Sequence, residues 1–173
     1  MAGLLTRGLG LGTPLVLHGL GASSATSTSG AVIILIADAV TTALNAATLS
    51  KSFVATRAYV PVYEVCDFAS LKVTVVPRGM TSVALTRRSE DEDYQIDIAV
   101  QMRVPKEPAD IDPYMDLSQE IRDLFRGKHL DGYSQALCVA NANEPIYDPL
   151  HLDEKQIFTS VIRLTFRVAR DQT

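Results

Sequence analysis

The sequence predicts an α+β protein: a mostly antiparallel sheet with two helices packed on one face, preceded by an extended N-terminal arm. Three observations carry this. Residues 94–104 alternate Tyr94, Ile96, Ile98, Val100 and Met102 with Gln95, Asp97, Ala99, Gln101 and Arg103, the period of a strand with one buried and one wet face. Residues 158–168 repeat the pattern, with Phe158, Ser160, Ile162, Leu164, Phe166 and Val168 on one side and Thr159, Val161, Arg163, Thr165 and Arg167 on the other. Strands with one wet face suit antiparallel pairing. Two further stretches, 31–49 and 111–125, carry apolar residues at helical spacing, and helices segregated from strands define the α+β class.

The chain of 173 residues is long enough for one domain with a real core, here 31–173, plus an appendage at 1–30. The apolar fraction of 47% is that of an ordinary globular protein, and the net charge of −4 argues against a protein built to grip nucleic acid. It is compatible with a ring wall that lets DNA slide past. Cys66 and Cys138 are too few for a disulfide framework and read as reduced, buried thiols. The first 25 residues faintly copy a secretory leader, but glycines, Pro14 and His18 interrupt the apolar run. No run reaches the roughly eighteen residues of a membrane span, so a soluble chain is expected.

Taken in order, residues 1–30 come first. Leu4-Leu5-Thr6-Arg7-Gly8-Leu9-Gly10 is echoed by Leu15-Val16-Leu17-His18-Gly19-Leu20-Gly21. Glycine this dense resists helix, while the leucines resist exposure. An extended arm with apolar anchors satisfies both, followed by a Ser/Thr-rich linker at 22–30. Residues 31–49 form the first helix, with Ser29 placed to cap it. Its start is apolar nearly all round, so that end should be covered on two sides. Residues 53–60 read as a strand ended by Pro61, 62–68 are ambiguous, and 71–76 and 81–88 are strands joined by a turn at Pro77-Arg78-Gly79. The run Arg87-Arg88-Ser89-Glu90-Asp91-Glu92-Asp93 reads as a solvated hairpin tip; as a calcium loop it lacks the glycine and spacing. Segregated signs also suit it to be a handle for a neighbouring subunit. After the strand at 94–104, Asp112 with Pro113 starts a second helix that Gly127 stops. Residues 134–140 are a short strand, 141–153 a loop, and 154–169 hold the last strand.

Residue patterns that carry chemistry are sparse. His18, His129 and His151 share no metal-ligand spacing and read as surface histidines. There is no nucleophile elbow, Walker loop or dinucleotide fingerprint. The alternation Gly8, Gly10, Gly12 has no strand before it and no helix directly after it. Asp97 is placed as a general base on the polar strand face, or, more simply, as the partner of Arg103 or Arg163 across the sheet. No catalytic residue, metal site or cofactor is expected.

Certain stretches taken together resemble a known family. They are Ile36-Ala37-Asp38-Ala39-Val40, then Phe53, Ala58-Tyr59-Val60-Pro61-Val62-Tyr63 and Leu71-Lys72-Val73-Thr74-Val75-Val76-Pro77-Arg78. The acidic tip, Tyr94-Gln95-Ile96-Asp97-Ile98-Ala99-Val100 and the closing Ile162-Arg163-Leu164-Thr165-Phe166 complete the set. Their order resembles the neck proteins of long-tailed bacteriophages, in particular the tail terminator or tail-completion family. The resemblance spans about residues 31–169 and lies in the order of elements. It implies a structural virion protein, not an enzyme, made in the host cytoplasm. Subunits would form a ring, commonly a hexamer, which caps the tail tube protein and meets the head connector or head-closure protein. DNA would pass through the lumen without specific binding, and no membrane is involved. Strands would face the lumen, making Gln95, Asp97, Gln101, Arg163 and Arg167 a candidate lumen or inter-subunit face. The arm (Leu4, Leu5, Arg7, Leu9, Leu15, Leu17) and the charged stretch (Arg87, Arg88, Glu90, Asp91, Glu92, Asp93) are candidate interfaces to other subunits or rings. An adjacent connector or tail-tube protein is the nearest alternative. A small enzyme using Asp97, Arg163 and a histidine is the more distant one.

Overall fold

The computed structural model describes residues 30–60, 63–84 and 89–171. In chain order the elements are α1 (Val32–Ala46), β1 (Ala55–Arg57), a 3-10 turn (Val65–Ala69), β2 (Lys72–Ala84), β3 (Ser89–Arg103), α2 (Pro108–Phe125), β4 (His129–Leu130), β5 (Tyr133–Ala142), α3 (Pro149–Lys155) and β6 (Ile157–Asp171). The fold is α+β. The strands form one six-stranded sheet in the order β1-β2-β3-β6-β5-β4. β1 runs parallel to β2, whereas the remaining neighbours are antiparallel. The sheet is therefore mixed, not the mostly antiparallel one expected. The reason is the connection: residues 58–71, with the 3-10 turn inside, are long enough to carry the chain back to the same end of the sheet. Three residues of β1 hold too little pattern to betray that direction.

The two longest strands, β3 and β6, pair over their whole length, and this ladder organises the core. Ile98 faces Ile162, Ile96 faces Leu164 and Tyr94 faces Phe166, all buried. Burying each aliphatic side chain contributes about 1.5–3 kcal/mol. Val73 and Val75 of β2, Ile36, Val40 and Leu44 of α1, and Leu117, Ile121 and Phe125 of α2 belong to the same cluster. The Phe125 ring meets Phe166 edge-on at 6.3 Å between centroids, and Tyr114 lies 5.8 Å from Phe158. The apolar faces of the two alternating runs are thus buried, with Met102 only partly covered.

Several elements differ from expectation. β2 is one continuous strand; Pro77-Arg78-Gly79 makes a register shift against β3 instead of a turn. Proline and glycine are tolerated at such a bulge on a strand with a free edge. β3 begins at Ser89, so Glu90, Asp91, Glu92 and Asp93 lie within a paired strand and not at a hairpin tip. α2 begins at Pro108, with Pro113 inside it. Its first turn is exposed and so carries no apolar stripe to announce it. α3 occupies part of the expected loop. Asp148 caps it, accepting from the Leu150 and His151 amides at 2.9 and 3.2 Å, and Pro149 opens it. It buries no residue, which is why periodicity missed it. Its His151 lies 3.3 Å from Thr159, a residue that alternates with buried Phe158 and Ser160, so this third helix meets the polar side of β6. Cys66 is exposed, contrary to expectation, because its turn lies on the surface; Cys138 is buried, and that burial pushes its thiol pKa up. The expected cap Ser29 lies outside the described residues. No helix among the described residues is long and apolar enough to cross a membrane.

Candidate functional site

The polar face of β3 and β6 carries a ladder of acid–base pairs. Alternation places Asp93, Gln95, Asp97 and Gln101 on one side of β3, opposite Arg167, Thr165, Arg163 and Thr159 of β6. Asp97 is the centre. It is only 7% exposed, and both its oxygens are engaged. Arg163 Nε donates to Oδ1 at 2.9 Å and Arg78 Nη1 to Oδ2 at 2.7 Å. Arg78 is the extra residue of the β2 bulge, and its side chain reaches across to the Asp97 carboxylate. The Asp97 hydrogen bond raises the pKa of Arg163 further.

Farther out, Arg167 makes a two-pronged contact with Asp93, Nε to Oδ1 at 2.7 Å and Nη2 to Oδ2 at 2.8 Å, and passes Asp91 at 3.5 Å. That hydrogen bonding holds the Asp93 carboxyl below its ordinary range, against the opposing effect of burial. On the reverse face, Glu92 accepts from the Tyr94 hydroxyl and from Arg170 Nε. Burial first, and Glu92 second, push the Tyr94 phenol up. Directly opposed pairs of this kind contribute about 0.2–1 kcal/mol each. They also fix strand register.

At the other end of the same face lies a cleft of about 310 Å³ between the 3-10 turn and α3. Gln101 and Thr159 contribute from the strands, Tyr63 and Phe68 from one wall, and His151 and Lys155 from the other. Tyr63 hydroxyl bonds Thr74 at 2.7 Å. Gln101 Oε1 is buried without a protein partner. The cleft offers polar contacts but no link to Asp97. Asp97 and Gln101 are four residues apart on one strand, roughly 13 Å along it.

Of the residues expected on a lumen or inter-subunit face, the structure brings Asp97 and Arg163 together, sets Arg167 on the same side, and leaves Gln95 between the pairs. Gln101 sits apart in the cleft. Asp97 pairs with Arg163 as the alternation suggested, not with Arg103. Glu90, Asp91, Glu92 and Asp93 lie on the outer part of β3. Arg87, Arg88, Leu4, Leu5, Arg7, Leu9, Leu15, Leu17 and His18 lie outside the described residues. His129 is exposed, with Nδ1 2.8 Å from Ser134 O. Sequence reasoning missed Arg78, which was read as part of a turn. A basic residue between Pro77 and Gly79 on a strand beside an acidic one was the signal available. Among the described residues no cluster of three histidine, cysteine or acidic side chains is arranged to hold a metal. No protein-family model matches the chain, and no curated protein is detectably similar to it.

Proposed function

We propose that this chain is a structural subunit of a bacteriophage neck, forming a ring that terminates the tail tube and joins the tail to the head connector. The observation that carries the reading is the outer part of the β2–β3–β6 sheet. From Met80 to Ala84, consecutive residues of β2 are exposed, so neither face of that stretch is covered by helix. Behind it, β3 and β6 are locked together by Asp93–Arg167 and Glu92–Arg170. A stiff, all-strand projection of this kind suits a subunit that meets neighbours.

The polar face fits a passage for DNA. Its guanidinium groups are matched by carboxylates at Asp97 and Asp93, and arginines already paired grip phosphate weakly. The same pairing makes Asp97 a poor general base, since both lone-pair edges are occupied by cations. The reading therefore assigns the chain no catalysis, a virion location, and itself, the tail tube and the head connector as partners. In this reading α1 and α2 lie outside, over the apolar sheet face, with the polar face toward the lumen and α3 at one end of it.

The test is the mass of the purified protein by light scattering, with and without tail tubes. A ring, or a monomer that becomes one on tubes, is expected. A monomer indifferent to tubes overturns the proposal and returns attention to the cleft at Gln101.

A further inference from the structure

β2 is bare along its outer edge where it leaves the core. β1 covers it only from Val73 to Val75, with Ala58 N–H adding a bond to Val75 O. β1 itself is sealed: Asn45 donates to Ala55 O at 3.0 Å and accepts from Ala55 N–H at 2.7 Å. Farther along, Gly79 to Ala84 pair with Gln95 to Glu90 on one side. Among the described residues nothing pairs with the other side. Edges of this length are normally blunted by lysine, proline or a bulge. Pro77 and the bulge come before this stretch, and Gly79-Met80-Thr81-Ser82-Val83-Ala84 has no charge and no proline. Met80 and Val83 are 54% and 50% exposed. Such an edge is a template for another strand.

We propose that the occupant is residues 15–20 of a neighbouring copy, added to β2 as a further strand. The inference rests on the ring reading and names the contact that would close it. Residues 1–29 precede the described chain and contain no acidic residue. Leu15-Val16-Leu17 is a short uncharged apolar run, matched in character to the uncharged edge it would cover. α1 runs opposite to β1, since Asn45 near its end bonds Ala55 and Asp38 in its first half bonds Arg57 at 2.9 Å. β1 and β2 are parallel, so the chain before Gly30 leaves at the level of the outer half of β2. Residues 22–30 span up to about 30 Å when extended, which is the reach the proposed strand has from Gly30. The donor and the acceptor edge are different parts of the chain. Exchange between copies is therefore head-to-tail, the kind of contact that closes rings.

The experiment uses the full chain with Cys66→Ser, adding Val16→Cys together with Thr81→Cys, Ser82→Cys or Val83→Cys in turn, oxidised mildly and run without reductant. A ladder of covalently joined chains in at least one pairing is expected. A link only within single chains overturns the neighbour as donor, and no link in any pairing overturns the inference. Light scattering of the unoxidised protein separates the two proposals: a ring without links sinks the strand exchange alone, whereas a monomer with or without tail tubes sinks both. As a second arm, Met80→Lys with Val83→Lys changes only exposed side chains. The doubly substituted protein should keep its circular dichroism and lose assembly; unchanged assembly overturns the inference.

Discussion

Asp97 is the residue on which the polar face turns. It is a buried carboxylate with a guanidinium at each oxygen, and removing it leaves two cations facing each other beside Gln95. Asp97→Ala is expected to lower stability by about 1–3 kcal/mol, the range for losing a hydrogen-bonded charged partner, read from urea unfolding. Arg78→Ala, whose side chain is half in solvent, should cost less, about 0.2–1 kcal/mol. Equal losses would show that Arg78, despite its exposure, contributes as much as the carboxylate it meets. Asp93 gives a pH test. Its folded pKa lies below its unfolded one, so on acidification the unfolded chain takes up the proton first. Its contribution is complete above the ordinary carboxylate range and is lost as pH falls below about 4. Asp93→Asn should flatten the urea midpoint against pH in that window and leave it unchanged in slope above it. The Asp97–Arg163 pair was legible in the sequence because both residues follow from strand alternation. Arg78 was not, because Pro77 and Gly79 on either side of it give the stretch the composition of a turn and hide the continuous strand.

At the scale of elements, visibility followed length. β3 and β6 each run 15 residues and show a clean alternation, and α1 and α2 carry apolar stripes. β1, β4 and α3 are short and held by particular bonds instead of by a buried face. β1 depends on Asn45, which stands in for a missing strand at Ala55. Asn45→Ala is expected to cost about 1 kcal/mol, since each net hydrogen bond contributes about 0.5–1.5 kcal/mol and water reaches part of the site. Hydrogen exchange at the Ala55 amide should quicken well beyond that of Ile98 in the core; an unchanged rate would mean that β1 is held by other contacts. The end of α2 depends on Gly127, whose φ of 63° is left-handed. A Cβ there would meet nothing within 4 Å, so Gly127→Ala isolates the backbone cost, about 1–2 kcal/mol, with the fold intact by circular dichroism.

For the whole molecule, two routes to assembly make opposite predictions. If subunits meet through the charged stretch near Glu90–Asp93, association should weaken as salt rises, because exposed charges are screened beyond about 10 Å at 0.1 M. If they meet by a strand added to β2, backbone hydrogen bonds and apolar contacts dominate, and salt should change little. Among the described residues the core draws on α1, α2 and the sheet from Ile36 onward, and the arm reading sets residues 1–21 apart from it. Their removal should therefore leave the circular dichroism and thermal midpoint close to those of the full chain while sedimentation shows a loss of assembly. Asp91, Glu92 and Asp93, which were read as part of a solvated tip, are tied to Arg167 and Arg170, so part of their charge is already answered within the chain. That favours the salt-insensitive route. A truncated chain that assembles normally would remove the arm from the contact, and one that fails to fold would make the arm part of the core. Assembly of the full chain that collapses between about 0.1 and 1 M salt, where the screening length falls to about 3 Å, would return the contact to the charged stretch.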